Sequence, residues 1–494
     1  MLFNSEQFLI FFPTVTLLFF LLPKKLQWLW LLLVSYYFYM SWNPSYAILI
    51  LISTVITYLS GVYLGKVDSL PLSDEVKKRR KKLYVSISFS SNLLILFFFK
   101  YFNFFNESFV EVAQLLGIEV HGSRFNVLLP VGISFYTFQA LSYTMDVFRG
   151  KILPEKHFGR YALFVSFFPQ LVAGPIERST NLLPQFRQHK KFDHNRIREG
   201  LLLMMWGFFQ KVVIADRLAV LVDTVYNDPE SFKGVQLGLA TVFFAFQILC
   251  DFSGYSDIAI GASKVLGFDL MKNFERPYFS KSIKEFWRRW HISLSTWFRD
   301  YLYFPLGGNR GSKLYVYRNL MIVFLVSGLW HGANWTFVVW GALHGSYLVI
   351  EDYMNGIWIK YRFTIMNNKG FSSKILKVAL NFMLVTFAWI FFRSNTLSDS
   401  FYIVKNLLVN NFSKLFGNEL YTMGLDKQDF SIAVISVLFL LLIHGLQRKT
   451  SLSKWVFNQW MPIRWSIYIG MALIILIFGY YGEQKEAQFI YFQF

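Results

Sequence analysis

Runs of about 20 apolar residues recur along most of this 494-residue chain. The hydrocarbon core of a bilayer is ~30 Å thick, and ~20 helical residues at ~1.5 Å per residue cross it. Only 16% of the residues are charged, whereas soluble domains carry about 25%, so the chain lacks the polar surface that a water-soluble globule needs. The pattern therefore predicts an all-α polytopic membrane protein, in which each helix satisfies its own backbone hydrogen bonds.

The apolar runs predict about 11 or 12 transmembrane helices in a single transmembrane domain, residues 1–494. Within it we distinguish N-terminal helices (1–105), a core (128–350) and C-terminal helices (374–494). The run at 164–176 is too short to cross the bilayer and is predicted to be re-entrant. The predicted crossings are residues 8–22, 28–42, 46–64, 84–105, 128–148, 201–222, 237–262, two pieces within 320–350, 378–392, 430–446 and 465–481.

The basic residues predict the orientation of the chain. Lys and Arg number 49 against 30 acidic residues, and they cluster in short loops between the apolar runs. The positive-inside rule accounts for this charge, so no nucleic acid partner is expected, and membrane lipids are the expected surroundings. The rule predicts that loops 73–82, 177–198 and 447–464 are cytoplasmic. Binding of anionic lipid headgroups, or of a phosphate-bearing donor, stays open.

Polar residues interrupt the apolar segment from Leu320 to Ile350. This segment is too long for one crossing, and we expect two antiparallel pieces that break at residues 332–334. His331, Trp330 and Asn334 lie at the junction. Ionisable side chains at membrane depth usually face a bundle interior or a cavity, and histidine takes and returns a proton near neutral pH. The alternative is a histidine satisfied by a neighbouring carbonyl.

Two further segments carry unusual polar groups. Asp251 and Asp257 lie in an otherwise apolar run; a helix end at the interface explains Asp257, whereas Asp251 is harder to explain structurally. Residues 281–304 alternate apolar and charged side chains at helical spacing, which predicts a basic amphipathic helix in the interface plane. His291 falls on its apolar side, where a packing role and a site role are equally compatible with the spacing.

Residues 285–310, EFWRRWHISLSTWFRDYLYFPLGGNR, resemble the signature of membrane-bound O-acyltransferases. Three further stretches fit the polysaccharide-acetylating branch of that family: residues 130–136, 251–257 and 328–334. The resemblance implies a ring of tilted helices around a central funnel, with His331 and His291 as the catalytic pair. It also implies a cytoplasmic thioester donor, acetyl-CoA, with no permanently bound cofactor and no metal. The expected acceptor is an extracytoplasmic polysaccharide, reached with a periplasmic or surface acetyltransferase partner, from a bacterial inner membrane.

Each polar residue then receives an expected role. His331 would accept the proton of the acceptor hydroxyl and return it to the departing thiolate. Asn334 would orient His331 or stabilise the oxyanion, with Trp330 and Asp251 in support. Arg288 and Arg289 would contact a CoA phosphate, although lipid headgroups explain them equally well. The alternatives are D-alanyl or peptidoglycan acyl transfer within the same family, and a polysaccharide or lipid transporter without acyl chemistry.

Overall fold

The computed structural model describes residues 1–120, 122, 125, 130–172, 174–361, 370–411, 413–414, 417–448, 452–481 and 490. Every regular element in these ranges is a helix, so the all-α prediction is confirmed. The start of the predicted crossing 128–148 and parts of the loop 447–464 lie outside them.

Six helical stretches within the described ranges are long and apolar enough to cross a membrane. They are Tyr46–Ser69, Asp74–Leu115, Val235–Val265, Phe371–Arg393, Lys427–Leu446 and Met461–Phe478. Several other predicted crossings form shorter helices: the first has 16 residues, which reach only ~24 Å. The chain is a multi-pass membrane protein, and the count of about twelve crossings stays a prediction.

The chain divides into two compact units, which we describe separately: residues 1–201 with 259–271, and residues 202–258 with 272–494. The division into one domain with three parts stays a prediction. The helices of the first unit are α1 (Glu6–Leu21), α2 (Lys24–Met40), α3 (Tyr46–Ser69), α4 (Asp74–Leu96), α5 (Phe102–Leu115), α6 (Ile133–Phe148), α7 (Phe158–Ser166), α8 (Phe168–Leu171) and α9 (Ser179–Gln185).

Buried hydroxyls join the helices of the first unit. Ser53 of α3 donates to Asn92 of α4 at 2.5 Å, and Tyr161 of α7 donates to Thr57 at 2.7 Å. Such hydrogen bonds hold helices together where lipid supplies no hydrophobic driving force between them. The predicted re-entrant run forms two short helices, α7 and α8, that meet at Phe167, and neither is long enough to cross.

The second unit contains the C-terminal part of α10 (His194–Phe208) and most of α12 (Val235–Val265), together with all the later helices. Its complete helices are α11 (Asp216–Asn227), α13 (Ile283–Arg289), α14 (Ile292–Phe298), α15 (Lys313–His331), α16 (Trp335–Tyr361), α17 (Phe371–Arg393), α18 (Leu397–Asn406), α19 (Lys427–Leu446), α20 (Leu452–Phe457) and α21 (Met461–Phe478). Short π-helical segments at Phe209–Ala215 and Arg299–Tyr303 follow α10 and α14.

Two glycines bring α15 and α16 into close contact. A Cβ on Gly328 would collide with the Phe337 carbonyl oxygen, and a Cβ on Gly341 would collide with the Phe324 carbonyl oxygen. Small residues of this kind allow helix backbones to approach closely in membranes. The predicted break at residues 332–334 is confirmed, because α15 ends at His331 and α16 begins at Trp335.

The single amphipathic helix predicted for residues 281–304 is wrong. The segment consists of α13, α14 and a π-helical turn, with a break at Trp290 and His291. His291 has φ +42° and ψ +54°, the left-handed conformation, which ends one helix and redirects the next. Hydrogen bonds from another loop hold the chain at this break. Helical periodicity in the sequence does not reveal such a break.

Candidate active site

His331 is the last residue of α15 and is only 3% exposed. Aromatic rings surround it: the ring centres of Trp330 and Trp340 each lie 5.0 Å away, and that of Phe392 lies 5.4 Å away. The carboxyl end of a helix favours positive charge through the aligned peptide dipoles. The imidazole of His331 therefore lies at the end of α15 that favours positive charge.

His291 lies between α13 and α14 and is 1% exposed. The following turn is held by Asn273, whose carbonyl oxygen accepts from Ile292 N at 2.8 Å and whose Oδ1 accepts from Ser293 Oγ at 2.9 Å. The left-handed conformation of a non-glycine residue stores ~1–3 kcal/mol of strain and is common at functional sites. Burial lowers the pKa of His291, which lies outside the spanning helices, to about 3.

The structure brings the two predicted catalytic histidines together. Their ring centres lie 6.4 Å apart with planes at 73°, and Trp330 lies 6.0 Å from His291. Because a hydrogen bond spans ~3 Å between heavy atoms, a single hydroxyl oxygen between the two imidazoles can reach both. Imidazole is the side chain best suited to take and return a proton near neutral pH, so the pair fits proton transfer to and from such a hydroxyl.

The hydrogen bonds of Asn334 serve the start of α16. Its Oδ1 accepts from Thr336 N at 3.0 Å, and its Nδ2 donates to the Asn395 carbonyl oxygen at 3.0 Å. A helix-capping side chain of this kind fixes the direction in which the helix leaves the preceding turn. Asn334 thereby shapes the turn that follows His331, and its role toward an oxyanion stays a prediction.

Asp251 belongs to a buried ionic triad. Its Oδ1 lies 2.6 Å from Lys211 Nζ, which is 2.8 Å from Asp216 Oδ1, and all three side chains are at most 5% exposed. Its Oδ2 accepts from Ile490 N at 2.7 Å. The next residue on α12, Phe252, packs on His291 with ring centres 4.6 Å apart. Asp251 thus anchors the stretch of α12 that supports His291, while its carboxylate is engaged by Lys211.

The two predicted phosphate contacts differ in their surroundings. Arg289 Nη2 donates to Glu285 Oε1 at 2.6 Å, one helical turn earlier, so its charge is already compensated. Arg288 is exposed at the end of α13. Of the two, only the exposed Arg288 is open to a soluble anion without breaking an ion pair; its role stays a prediction.

Three functional residues escaped the sequence interpretation or were underrated. Lys211 lies within a predicted crossing, and a cation in an apolar run is itself a signal that it has a buried partner. Asn273 lies in a loop without a motif. On sequence alone His344 of α16 is a weaker candidate, because a helix-packing role explains it. In the structure its Nδ1 accepts from Trp287 Nε1 at 3.3 Å, and its ring packs on Trp340 at 5.0 Å, the same indole that contacts His331.

Comparison with known proteins adds the family. Residues 84–393 match the MBOAT, membrane-bound O-acyltransferase family. The probable alginate O-acetylase AlgI of Pseudomonas syringae pv. tomato is 40% identical over 80% of this chain and 73% of its own length. That of Pseudomonas putida is 35% identical over the full length of both chains. The peptidoglycan O-acetyltransferase of Helicobacter pylori is 35% identical over 83% of this chain and 80% of its own length.

Proposed function

Because this chain belongs to the membrane-bound O-acyltransferase family, we propose that it moves an acetyl group from cytoplasmic acetyl-CoA to the hydroxyls of an extracytoplasmic polysaccharide. The family resemblance inferred from the signature is confirmed, and so is an acyltransferase activity. This excludes the alternative of a transporter without acyl chemistry. The donor, the acceptor, a periplasmic or surface partner and the bacterial inner membrane belong to the proposal.

The observation that carries the proposal is the imidazole pair. The ring centres of His331, at the end of α15, and of His291, between α13 and α14, lie 6.4 Å apart, and both residues are inside the region that matches the family. Acyl transfer needs a base within hydrogen-bond reach of an alcohol, which is otherwise a poor nucleophile. An acceptor hydroxyl between the two rings satisfies that requirement.

The step balances with the chain's own residues. The hydroxyl oxygen attacks the thioester carbonyl carbon while its proton passes to His331, and a C–O bond forms. The C–S bond then breaks, and the imidazolium of His331 returns the proton to the CoA thiolate. His291 holds the hydroxyl or shares the proton. No permanently bound cofactor or metal is required by this scheme.

Access to the site requires movement. Both imidazoles are almost fully buried, and Trp330, Trp340 and Phe392 pack directly on His331. A thioester reaches His331 only when at least one of these rings turns aside. Such gating excludes water from the reactive thioester and favours transfer over hydrolysis.

The names of the relatives support an acetyl ester on a polymer. Two of the similar proteins are described as alginate O-acetylases, and a third as a peptidoglycan O-acetyltransferase. We favour an exopolysaccharide acceptor of the alginate type. Peptidoglycan acetylation and D-alanyl transfer within the same family are the second candidates.

The test compares polymers from cells that carry the wild-type chain, His331→Ala or, as a control, His194→Ala, which removes an exposed histidine at the start of α10. Mass spectrometry of the purified exopolysaccharide should show acetyl esters with the wild type and with His194→Ala, and a loss of ~10²–10⁴-fold with His331→Ala. Unchanged esterification by His331→Ala would overturn the assignment. If the esters appear on muropeptides and not on exopolysaccharide, the acceptor is peptidoglycan.

A further inference from the structure

The first unit contains a cavity of about 400 Å³ that the acyl-transfer proposal does not use. This volume is within the ~300–1,000 Å³ typical of small-molecule sites. It lies among the start of α2, Arg160 of α7 and residues 186–190 after α9. The cationic residues of its lining are Lys24, Lys25, Arg160, Arg187 and Lys190.

Five cations line this cavity, and the described lining contains no carboxylate. One of the five, Arg187, is compensated by Glu155, whose Oε2 lies 2.5 Å from its Nη2. The others give the cavity an excess of positive charge. These positive charges lie close together around one cavity and repel one another. An anion bound in the cavity would therefore lower the electrostatic energy.

Arg160 lines the cavity and carries a buried hydrogen-bond donor, the Nε of its guanidinium. Its Nε is buried, and within the described part of the chain no group accepts a hydrogen bond from it. A buried guanidinium N–H without an acceptor is costly, and phosphate oxygens are acceptors that match its fork. Burial, reinforced by Arg196, lowers the pKa of Lys190, although Asp269 acts in the opposite direction.

The start of α2 also favours a bound anion. Lys24 and Lys25 are the first residues of this 17-residue helix, and no acidic side chain lies in its first turn. Cations at the amino end of a helix oppose the peptide dipole, so these lysines weaken α2 when alone. An anion beside them would interact favourably both with their charges and with the exposed backbone N–H groups.

Apolar side chains form part of the cavity wall and of its surroundings. Phe186 and Phe268 pack with ring centres 5.2 Å apart, and Lys190 Nζ lies 4.9 Å above the Phe268 ring. Next to the cationic residues in sequence, Leu21 is 71% exposed and Leu26 is 44% exposed. A soluble phosphate needs no such exposed hydrocarbon, whereas the acyl chains of a lipid do.

We propose that this cavity binds the phosphate headgroup of an anionic phospholipid, with its acyl chains along the exposed apolar side chains of α1 and α2. The basic loop 177–198 is predicted to be cytoplasmic, and anionic headgroups attract basic segments at that surface. The lipid fills the cationic cavity and stabilises the packing of α1, α2 and α7. This role is independent of acyl transfer.

The test measures thermal stabilisation of the full-length protein in a neutral detergent. The probes are short-chain phosphatidylglycerol, phosphatidylcholine with the same chains, inorganic phosphate and CoA. We expect stabilisation by phosphatidylglycerol alone. Equal stabilisation by phosphatidylcholine would overturn the anionic site, and equal stabilisation by phosphate or CoA would overturn the lipid as its source.

Two variants and a matched control locate the effect. Lys24→Gln/Lys25→Gln removes two exposed charges and should weaken phosphatidylglycerol binding ~25-fold, since each cation near a lipid surface is worth about fivefold. Arg160→Gln removes one charge and should weaken phosphatidylglycerol binding about fivefold. Lys78→Gln/Lys82→Gln removes two exposed lysines of α4 and should leave binding unchanged. Equal weakening in the control would refute the cavity as the site.

Discussion

The substitution Lys211→Met should unfold the second unit at a markedly lower temperature. Lys211 Nζ lies between Asp251 Oδ1 at 2.6 Å and Asp216 Oδ1 at 2.8 Å. Its removal leaves two buried carboxylates without a cation and next to each other. Breaking a buried ion pair by removing one partner costs ~3–5 kcal/mol. For a large domain this corresponds to an apparent Tm lower by ~6–20 °C, at ~2–4 °C per kcal/mol.

The assay is the thermal unfolding of purified protein in detergent, followed by intrinsic tryptophan fluorescence. The matched control is Lys264→Met, because Lys264 pairs with Glu199 where both side chains are about one third exposed. An exposed pair contributes only ~0–1 kcal/mol, so this control should shift Tm little.

A third variant separates charge from packing. Lys211→Met/Asp216→Asn/Asp251→Asn removes every charge of the triad and should recover much of the lost stability, because neutral replacements avoid the cost of unpaired buried charge. If Lys211→Met melts like the wild type, or if the triple variant is no more stable than Lys211→Met, the charge pairing of the buried triad does not stabilise the fold.

Three further predictions follow from single positions. The lowered pKa of His291 means that its contribution to stability is complete above its ordinary pKa near 6.5 and is lost as the pH falls toward about 3. Unfolding measured at pH 7 and at pH 5 should reveal a loss of about 1–2 kcal/mol, and His291→Asn should abolish that loss. An identical pH dependence in that variant would contradict the prediction. Gly328→Ala places a Cβ against a carbonyl oxygen of α16 and should destabilise the protein by about 1–3 kcal/mol. Gly445→Ala, in open space on α19, should instead stabilise the protein by about 0.5–1 kcal/mol. If both variants shift the melting temperature in the same direction, close packing at Gly328 is refuted. Trp287→Phe deprives His344 of its hydrogen-bond donor and should lower stability by about 1–3 kcal/mol, and an unchanged Tm would show that this bond contributes nothing.

Local chemistry in the sequence predicted the junction at His331. The apolar segment 320–350 exceeded one crossing, and glycine, alanine and asparagine at 332–334 indicated where it would break. In the structure α15 ends at His331 and α16 begins at Trp335, so residues 332–334 separate the two helices. A helix end depends on nearby residues, which is why such a feature is visible in the sequence.

Tertiary contacts determined what the sequence could not show. Periodicity predicted one helix through His291, but Asn273 on a separate loop holds the following backbone and the chain turns there. The sequence indicates that Asp251 is unusual, yet its partner Lys211 is 40 residues away along the chain, and only the folded structure shows that the two are paired. Pairing over such distances leaves no local pattern, so neither the break nor the triad follows from spacing.

Catalysis by the imidazole of His331 can be measured as the rate at which a labelled acetyl group is transferred from acetyl-CoA. Membrane vesicles that expose the cytoplasmic face are compared for the wild type and for His331→Ala at equal amounts of folded protein. We expect a rate lower by ~10²–10⁴-fold in the variant. An equal rate of transfer would show that His331 is not the catalytic base.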